Sequence, residues 1–565
     1  MTSAHARAED MRSGAEVLAD MLASYGVTHL FMVPAILRRT MMELERRTPI
    51  ARLHVHGEKA AAYMADGYAR ASGKPGICGA QIVGALNLAA GLRDAYLAHS
   101  PVIALTGGRD PRTKFRRVYQ EADDVPAFEP VTKFNATVDA VERIPDMLRQ
   151  AFRVATTGCP GPVHLQFGGN EGQIDAETAA MEALVEQQFS RVPPFRPVPE
   201  DAAVREALRL LIEADRPVIV AGGGVRKSGA AAELLRVAEA LQIPVATSLN
   251  GKDLVPASHP LAVGVVGTYS RESANRVVAR ADLVCFVGSE AGGMTTHGWS
   301  LPRQGTAVVQ IDIEPSHLGR HYPLASAVNG DARVTLARLA ACHGDEPAKG
   351  REPWLAEVRS ICAHWRDKYE DARTSEEVPT RPERICAELS GLVPDDGVVV
   401  ADTGHAGIWM GAFYDISAGQ RYLRSCGHLG WAFPAALGAK CALPDRPVVC
   451  FTGDAGLWYH LAEIETAVRW GINSVTVVNN NSSGNQSKRG FERVYGPDVT
   501  ARSRELWTFT DVDFSAVADD VGALGIRVGK PGDLRPAIER ALEAGRPVIV
   551  DVRTDPEILA PVATI

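Results

Sequence analysis

Short runs of β-branched and other apolar residues alternate with longer stretches of helical periodicity along most of the chain. Clear short runs lie at residues 217–220, 283–287, 307–314 and 547–552. Each run has the length of a buried strand, and the stretch that follows it has the length of a helix. The alternation predicts an α/β protein with doubly wound, mostly parallel sheets that are covered by helices.

Two linkers divide this pattern into three segments. A polar, proline-rich stretch ends near residue 197, and a short charged stretch occupies residues 343–351. A chain of 565 residues also exceeds what one hydrophobic core serves. We predict three domains of similar size, at residues 13–180, 198–342 and 380–555.

Composition and charge argue against several classes of protein. The net charge of −8 argues against a nucleic-acid partner, and the basic run at 114–117 is expected to be a solvated loop. The chain has no run of about 18 apolar residues that would predict a membrane span. Residues 1–14 are polar and lack the apolar core of a secretory signal. The nine cysteines show no CxxC spacing, which argues against a disulfide framework or a zinc site and predicts a cytoplasmic location.

The stretch from residue 447 to residue 481 carries the most informative chemistry. It begins with a buried strand at 447–451 and ends with a second strand at 474–478. The helix predicted between them has an apolar stripe formed by Leu457, Leu461, Ile464 and Val468. Asp454 and Asn481 therefore leave the carboxyl ends of two parallel strands, where open α/β sheets bind ligands. Their oxygens suit Mg²⁺, and the helix start suits a diphosphate; an N-capping aspartate with loop asparagines is the alternative.

These residues resemble the thiamine-diphosphate signature, which runs from Gly-Asp-Gly to Asn-Asn over about this distance. Gly453, Asp454 and Ala455 match its start, with alanine in place of the third glycine, and Asn481 matches its end. The resemblance implies that Mg²⁺ is held by the side chains of Asp454 and Asn481 and by the backbone carbonyl of Ser483. It also implies that the cofactor is bound by Gly453, Asp454, Ala455, Gly456, Asn481 and Ser483.

The first segment carries a counterpart to this motif. Glu58 stands where a predicted strand enters a helix at about residues 56–70. In thiamine-diphosphate enzymes a glutamate at the matching place shares a proton with the aminopyrimidine ring and so activates the cofactor. By resemblance Glu58 is catalytic, and the glycine-rich loop at Val83, Gly84 and Asn87 lies along the cofactor. The alternative is a glutamate that is favoured only by the helix dipole.

A third motif begins at Asp402. Ile408 matches the bulky apolar residue that supports the bent cofactor in these enzymes, and the carbonyl of Ala406 would accept the cofactor's amino group. Gly427 and Leu429 match the loop that supports the same site. An ordinary core residue is the alternative for Ile408.

With its motifs in family order, the chain is identified as a member of the superfamily of acetohydroxyacid (acetolactate) synthase and 2-hydroxyacyl-CoA lyase. The resemblance implies a pyrimidine-binding domain, a central domain and a diphosphate-binding domain, in that order. In this family the activating glutamate and the diphosphate clamp of one site come from different subunits. A homodimer or a homotetramer is therefore expected.

The resemblance is weaker where the substrates are concerned. Gln120 matches a pocket glutamine that would bind substrate oxygens, and a solvated loop is the alternative. The segment after Asn481 lacks the tryptophan with which acetolactate synthases recognise a second 2-oxo acid. Residues 288–296 replace the charged stretch that helps those enzymes hold FAD, so FAD is doubtful.

Three functions follow from these patterns. The first is a carbon–carbon lyase or carboligase of the acetolactate-synthase type that acts on a small 2-oxo acid. The second is a 2-hydroxyacyl-CoA lyase or an oxalyl-CoA decarboxylase, in which Glu492 would shuttle a proton; a glutamate on the surface of a helix is the alternative for Glu492. Only Arg226 and Lys227 suggest a basic CoA pocket. The third is a non-catalytic paralogue that binds the cofactor, against which the presence of Glu58 and Asp454 argues.

Overall fold

The computed structural model describes residues 11–344 and 349–565. The polar residues 1–10 and residues 345–348 of the predicted charged linker lie outside this part of the chain. Within the described residues, strands form three six-stranded parallel sheets and a two-stranded antiparallel sheet. The predicted α/β class with three doubly wound domains is confirmed.

The N-terminal domain contains the first of these sheets. Its elements are β1 (Met11–Ser13), α1 (Gly14–Ser24), β2 (His29–Met32), α2 (Arg38–Arg47), β3 (Ala51–His54), α3 (Glu58–Ser72), β4 (Gly76–Ala80), α4 (Ala85–Leu97), β5 (Val102–Gly107), α5 (Val125–Phe128), β6 (Phe134–Val138), α6 (Ile144–Thr156), β7 (Val163–Phe167) and β8 (Thr178–Ala180). The strand order is β3-β2-β4-β5-β7-β6, and β1 pairs with β8 separately. The helices leave the carboxyl ends of β3 and β4 free to carry polar loops.

The central domain has a different strand order, β11-β10-β9-β12-β13-β14. Its elements are α7 (Asp201–Glu213), β9 (Pro217–Ala221), α8 (Gly223–Ser228), α9 (Ala231–Leu241), β10 (Val245–Thr247), β11 (Ala262–Val265), α10 (Glu272–Val278), β12 (Leu283–Val287), β13 (Ala307–Asp312), β14 (Ser326–Asn329) and α11 (Ala332–His343). Apolar clusters cover both faces of this sheet. A 22-residue helix, α12 (Glu352–Arg373), follows in the interval between the second and third predicted domains, and its Trp354 and Trp365 are buried.

The C-terminal domain contains α13 (Pro382–Leu392), β15 (Val398–Ala401), α14 (Gly404–Phe413), β16 (Arg421–Arg424), α15 (Ala432–Ala442), β17 (Val448–Gly453), α16 (Asp454–Trp458), α17 (Glu463–Arg469), β18 (Val475–Asn480), α18 (Asn485–Tyr495), α19 (Phe514–Asp520), β19 (Leu524–Val528), α20 (Leu534–Glu543) and β20 (Val548–Arg553). The strand order is β16-β15-β17-β18-β20-β19. Its four inner strands are buried along nearly their whole length, as expected for a parallel sheet between helices.

The prediction of a single helix after β17 is wrong, because the structure has two helices there, α16 and α17. The backbone N–H groups of Glu463 and Ile464 donate to the carbonyls of His460 and Leu461, three residues earlier, which is the pattern of a turn. The turn nearly preserves the helical phase, so the apolar spacing of the sequence does not reveal the break. Leu457 and Ile464 of the predicted stripe are buried.

The chain divides into two compact units that do not coincide with the three domains. The first comprises the described residues up to Phe195 together with Trp431–Asp445 and His460–Ser474, so that α15 and α17 belong with the N-terminal sheet. Within this unit α15 packs closely on α3, since a Cβ on Gly67 would lie 2.0 Å from the Ala435 carbonyl oxygen. The second unit holds the central sheet and the C-terminal sheet. The exact domain limits remain predictions.

Other sequence-based expectations concern the cysteines and the membrane. All nine cysteines lie in the described parts of the chain, and none of them forms a disulfide bond there. Among the described residues, no helix is both long enough and apolar enough to cross a bilayer. The basic run at 114–117 is an exposed loop, as predicted.

Candidate active site

Asp454 is the first residue of α16 and follows the carboxyl end of β17, as the sequence predicts. Its side chain is 3% exposed. The Ala455 N–H donates to its Oδ1 at 2.7 Å, and the Ser483 N–H donates to its Oδ2 at 3.1 Å. Burial raises the pKa of Asp454 to about 6, and the backbone N–H groups act against this rise. The carboxylate is thus held by backbone donors in a largely desolvated place.

The structure distinguishes the three consecutive asparagines that end β18. Asn480 is a structural residue, because its Nδ2 donates to the Val512 carbonyl and to Asp551 Oδ1, both at 2.9 Å. Asn481 Oδ1 accepts the Ser483 N–H at 3.1 Å. Asn481 and Asp454 therefore converge on one backbone amide. The structure brings together the three residues predicted to hold a metal: Asp454, Asn481 and Ser483.

Asp402 ties three loops of this edge together, a role that the sequence did not indicate. Its carboxylate accepts N–H groups from Thr403 and Gly430, and the Thr452 hydroxyl donates to its Oδ2 at 2.9 Å. These donors follow β15, precede α15 and end β17, respectively. A Cβ on Gly456 would lie 2.6 Å from Asp402 Oδ2, so only glycine fits there. Gly453 precedes α16, and Ala455 and Gly456 follow Asp454 in the first turn of that helix.

The other predicted cofactor residues of the C-terminal domain lie in α14 and in the loop after β16. Ala406 and Ile408 are 6% and 3% exposed and belong to the apolar cluster of this domain. Gly427 has a φ of +140° and is exposed, and Leu429 is half-buried. The Ser425 hydroxyl donates to the His428 carbonyl at 2.8 Å, which holds this loop in a compact turn.

Glu58 is the first residue of α3, and its half-buried carboxyl group lies over the loop after β4. Asn87 Nδ2 donates to Glu58 Oε2 at 3.2 Å. A Cβ on Gly84 would lie only 2.3 Å from Glu58 Oε1, so the carboxyl group occupies space that only glycine leaves open. Val83, beside it, is 58% exposed. The structure thus brings together the predicted residues Glu58, Val83, Gly84 and Asn87.

Gln120 joins this second group through a residue that the sequence analysis did not single out. Gln81 Nε2 donates to Gln120 Oε1 at 2.8 Å. Gln81 immediately precedes the turn at Ile82–Gly84. The Gln120 backbone has a φ of +64°, in the left-handed region that few residues other than glycine occupy. The structure therefore places Gln120 in the same loop cluster as Gly84.

Glu492 lies on α18, the short helix predicted after the metal loop, and is half-buried. Its nearest basic group is Lys488 Nζ at 4.0 Å, and that lysine pairs more closely with Glu557, at 2.6 Å. The chain after β20 holds α18 in place, since Lys488 Nζ and Asn485 Nδ2 donate to the Pro556 carbonyl at 3.0 and 3.1 Å. Sequence patterns did not predict this role for residues 554–565, which are called the C-terminal strap below.

The central sheet has its switch of strand order between β9 and β12, where a doubly wound sheet binds a dinucleotide. The glycine loops that follow these two strands contact each other directly. The Gly224 N–H donates to the Gly288 carbonyl at 3.0 Å, and a Cβ on Gly222 would lie 2.2 Å from the same oxygen. Arg226, a weak CoA candidate in the sequence, donates to the Tyr422 carbonyl at 3.3 Å and lies 3.8 Å from Asp253.

Comparisons with known proteins agree with this geometry. The N-terminal TPP-binding, central and C-terminal TPP-binding domain models of the thiamine pyrophosphate enzymes match residues 12–127, 204–339 and 402–552. A probable acetolactate synthase large subunit of Methanocaldococcus jannaschii is 32% identical over 559 residues, which cover 96% of this chain and 92% of the relative. The chain belongs to the thiamine pyrophosphate enzyme family.

Other members of this family with different names are similar over the same length. A sulfoacetaldehyde acetyltransferase of Alcaligenes xylosoxydans xylosoxydans is 29% identical, with 96% of this chain and 93% of the relative covered. A glyoxylate carboligase of Escherichia coli O157:H7 is also 29% identical, with 94% and 91% covered. The chain is therefore a thiamine-pyrophosphate-dependent carboligase or transferase of the acetolactate synthase superfamily. Thiamine pyrophosphate is another name for thiamine diphosphate, the cofactor that the sequence resemblance implies.

The matched regions include both groups of site residues. The N-terminal TPP-binding model spans Glu58, Gly84 and Gln120, and the C-terminal model spans Asp454 and Asn481. The strap at residues 554–565 lies beyond the matched region. The family assignment thus rests on the same loops that the geometry brings together.

Proposed function

We propose that this thiamine pyrophosphate enzyme is a Mg²⁺-dependent carboligase of the acetolactate-synthase type that acts on a small 2-oxo acid. The observation that carries the proposal is the convergence of Asp454 and Asn481 on the Ser483 N–H, at 3.1 Å each. A carboxylate and an amide oxygen are hard oxygen ligands of the kind that Mg²⁺ accepts, with water and substrate phosphates in its other positions.

The donor set at this loop fits a hard divalent cation. Ser483 Oγ and Asn479 Oδ1 are buried without a hydrogen-bond partner among the described residues, so the loop has polar oxygens that a metal or its waters would satisfy. A cation beside Asp454 would also favour the ionised carboxylate against the effect of burial. Asp454, Asn481 and the Ser483 carbonyl would hold Mg²⁺, which in turn would bind the diphosphate.

When bound, the cofactor supplies a carbon nucleophile and an electron sink, which are the chemistry of this family. The chain's own residues would bind and orient it. The backbone of residues 453–456 would approach the diphosphate, and Ile408 would support the bent cofactor. The Glu58 carboxyl group, held by Asn87 and seated over Gly84, would exchange a proton with the pyrimidine ring.

The proposed reaction begins with a 2-oxo acid. Its C1–C2 bond breaks and releases CO₂, and the electron pair stays on the former carbonyl carbon. That carbon then bonds to the carbonyl carbon of an acceptor, whose oxygen takes up a proton. Gln120, fixed by Gln81 at 2.8 Å, would hydrogen-bond an oxygen of the oxo acid. The relative named as an acetolactate synthase supports the choice of a 2-oxo acid.

The CoA-lyase alternative has less support from the structure. Its basic candidate Arg226 is engaged with Asp253 and with the Tyr422 carbonyl, as an arginine that stabilises the fold would be. Lys488, four residues before Glu492, pairs with Glu557. We therefore rank the 2-oxo acid first and retain the acyl-CoA substrate as the second hypothesis.

Three further expectations accompany the proposal. We propose a homodimer or homotetramer, since the family's sites draw on two subunits. We propose that FAD is not required, because residues 288–296 lack the family's charged stretch and the glycine loops after β9 and β12 contact each other directly. The cytoplasmic location remains a prediction from the cysteine pattern.

The proposal is tested by supplying the purified protein with thiamine pyrophosphate and Mg²⁺ and offering two substrates in parallel. One is pyruvate, alone and with a second 2-oxo acid, and the other is a 2-hydroxyacyl-CoA. We expect CO₂ release and a carboligation product from the first, detected by mass spectrometry. Thioester cleavage without pyruvate consumption would support the second hypothesis instead.

A further inference from the structure

We propose that Glu463 is a positioning residue for Glu58, and this inference rests on the activating role proposed for Glu58. Glu463 begins α17, which lies in the same compact unit as the N-terminal sheet. Its carboxylate reaches the strand-to-helix turn that presents Glu58, 405 positions earlier in the chain. The pattern that led to the metal site did not single out Glu463.

The contact is made with backbone groups of the turn. The His56 N–H donates to Glu463 Oε1 at 3.1 Å, and the Gly57 N–H also hydrogen-bonds the carboxylate. The Thr466 hydroxyl donates to Oε2 at 2.7 Å and so fixes the carboxylate from its own helix. Glu463 is 2% exposed. A buried carboxylate with three donors holds the backbone of residues 56–57 in one place.

Neighbouring residues of α17 fix the same short segment from outside. Glu465 Oε2 lies 2.7 Å from the His56 ring Nε2. Arg469 donates to the His54 carbonyl at 3.0 Å and pairs with Glu465 at 2.9 Å. Residues of α17 thus contact both backbone and side-chain groups at the end of β3 and in the turn before α3.

This arrangement matters because Glu58 has little room. Its Oε1 lies 2.3 Å from the point where a Gly84 Cβ would stand, and Asn87 donates to its other oxygen. A small rotation of the Gly57 peptide would swing the Glu58 side chain away from that seat. Displacement of a reacting group by about 1 Å can slow a reaction on the order of 100-fold. An apolar residue in this position would pack without a desolvation cost. The need to fix the turn therefore explains why an acid is buried here.

The experiment measures exchange of the cofactor's reactive C2 proton with deuterium in the holoenzyme, by acid quenching and NMR. We expect Glu463→Gln and Glu463→Ala to slow this exchange by about 10- to 100-fold, while the affinity for thiamine pyrophosphate changes little. Glu142→Gln is the control, because it removes an exposed acid of the same domain as Glu58. The Gln variant keeps the test available if the Ala variant does not fold.

Two further measurements separate positioning from other roles. Amide hydrogen exchange in the cofactor-free protein is expected to become faster at residues 56–58 in Glu463→Gln. In a Glu58→Gln background, Glu463→Gln is expected to cause little further slowing, because it acts through Glu58. A full and independent loss in that background would overturn the proposal. Faster amide exchange with unchanged C2 exchange would also overturn it, since Glu463 would then only stabilise the fold.

The outcome for Glu58 itself is measured in parallel. Wild-type C2 exchange in Glu58→Gln would contradict the proposed role of Glu58, whatever Glu463 does. Slow exchange in Glu58→Gln together with normal exchange in Glu463→Gln would contradict only the positioning role. The two failures are therefore distinguishable.

Discussion

The N-terminal and C-terminal sheets have one strand order in common, and the residues at their carboxyl edges differ. The strands β3-β2-β4-β5-β7-β6 correspond one by one to β16-β15-β17-β18-β20-β19. At the end of β17 stands Asp454, whereas β4 leads to Gln81 and the turn that ends at Gly84. The same strand order therefore carries the proposed metal ligand Asp454 in one domain and the glycine seat for Glu58 in the other.

The carboxyl groups at the two edges also lie in different environments. Asp454 is buried and accepts N–H groups from its own loop and from the loop after β18. Glu58 is half-buried, and its carboxyl group is held by Asn87 from α4. The first environment suits a cation, and the second leaves the group accessible to a ligand. The comparison teaches that here function resides in the loops, while the strand order serves both.

The largest expected effect comes from removing the accessible acid. Glu58→Gln keeps the shape of the side chain but cannot exchange a proton, so turnover should fall by about 100- to 10,000-fold. The fold should be unchanged, as checked by circular dichroism. Glu142→Gln, an exposed acid of the same domain, is the control. Near-normal turnover in Glu58→Gln would contradict its assignment.

Removing the buried acid tests the other edge. Asp454→Ala should weaken the Mg²⁺-dependent retention of thiamine pyrophosphate by more than about 100-fold, because even supporting residues of metal sites cost 10- to 100-fold. Retention is measured by dialysis against EDTA followed by titration with Mg²⁺. Asp498→Asn, in an exposed turn after α18, serves as the control. If retention is unchanged in Asp454→Ala, the metal site lies elsewhere.

Much of this comparison could be predicted from local sequence. The strand that ends at Gly453, the start of α3 and the edge position of Asp454 follow from apolar periodicity and glycine placement. What could not be predicted depends on contacts between distant positions. Examples are the hydrogen bond from Gln81 to Gln120, the contact of the C-terminal strap with α18, and the anchoring of Asn480 by Val512 and Asp551, which distinguishes it from Asn481.

The break between α16 and α17 belongs to a different class of failure. The turn between the two helices keeps the apolar residues nearly in the helical phase, so the apolar periodicity of the sequence does not reveal the break. The break places the start of α17 at Glu463, whose carboxylate accepts the His56 N–H.

The glycine seat of Glu58 gives a smaller and more specific prediction. Gly84→Ala would place a Cβ 2.3 Å from Glu58 Oε1 and push the carboxyl group out of position. We expect kcat to fall by about 10- to 100-fold with little change in the KM for the 2-oxo acid. Gly529→Ala is the control, because its Cβ would meet no atom within 4 Å. An unchanged kcat in Gly84→Ala would show that Glu58 tolerates displacement.

The smallest expected effect is the pH dependence of the metal edge. Burial raises the pKa of Asp454 from its ordinary value of 3.8 to about 6 in the metal-free protein. The protonated form contributes stability that is complete below about pH 3.8 and is lost as the pH rises through about 6, because the buried group must then ionise. Mg²⁺ requires the ionised form, so its affinity should fall as the pH drops below 6, by about tenfold per unit.

This dependence is measured by Mg²⁺ titration of cofactor binding at pH 7, 6 and 5. Asp454→Asn provides the matched comparison, since it cannot ionise and should show weak affinity that is nearly independent of pH over this range. The proposed Mg²⁺ site lies at the Asp454 edge and not at the half-buried Glu58 edge. A pH effect on exchange of the C2 proton, measured at saturating Mg²⁺, therefore reports on the Glu58 edge separately. If wild-type Mg²⁺ affinity stayed constant from pH 7 to 5, the Asp454 carboxylate would not be a ligand. The contrast between the two edges would then reduce to a difference in packing.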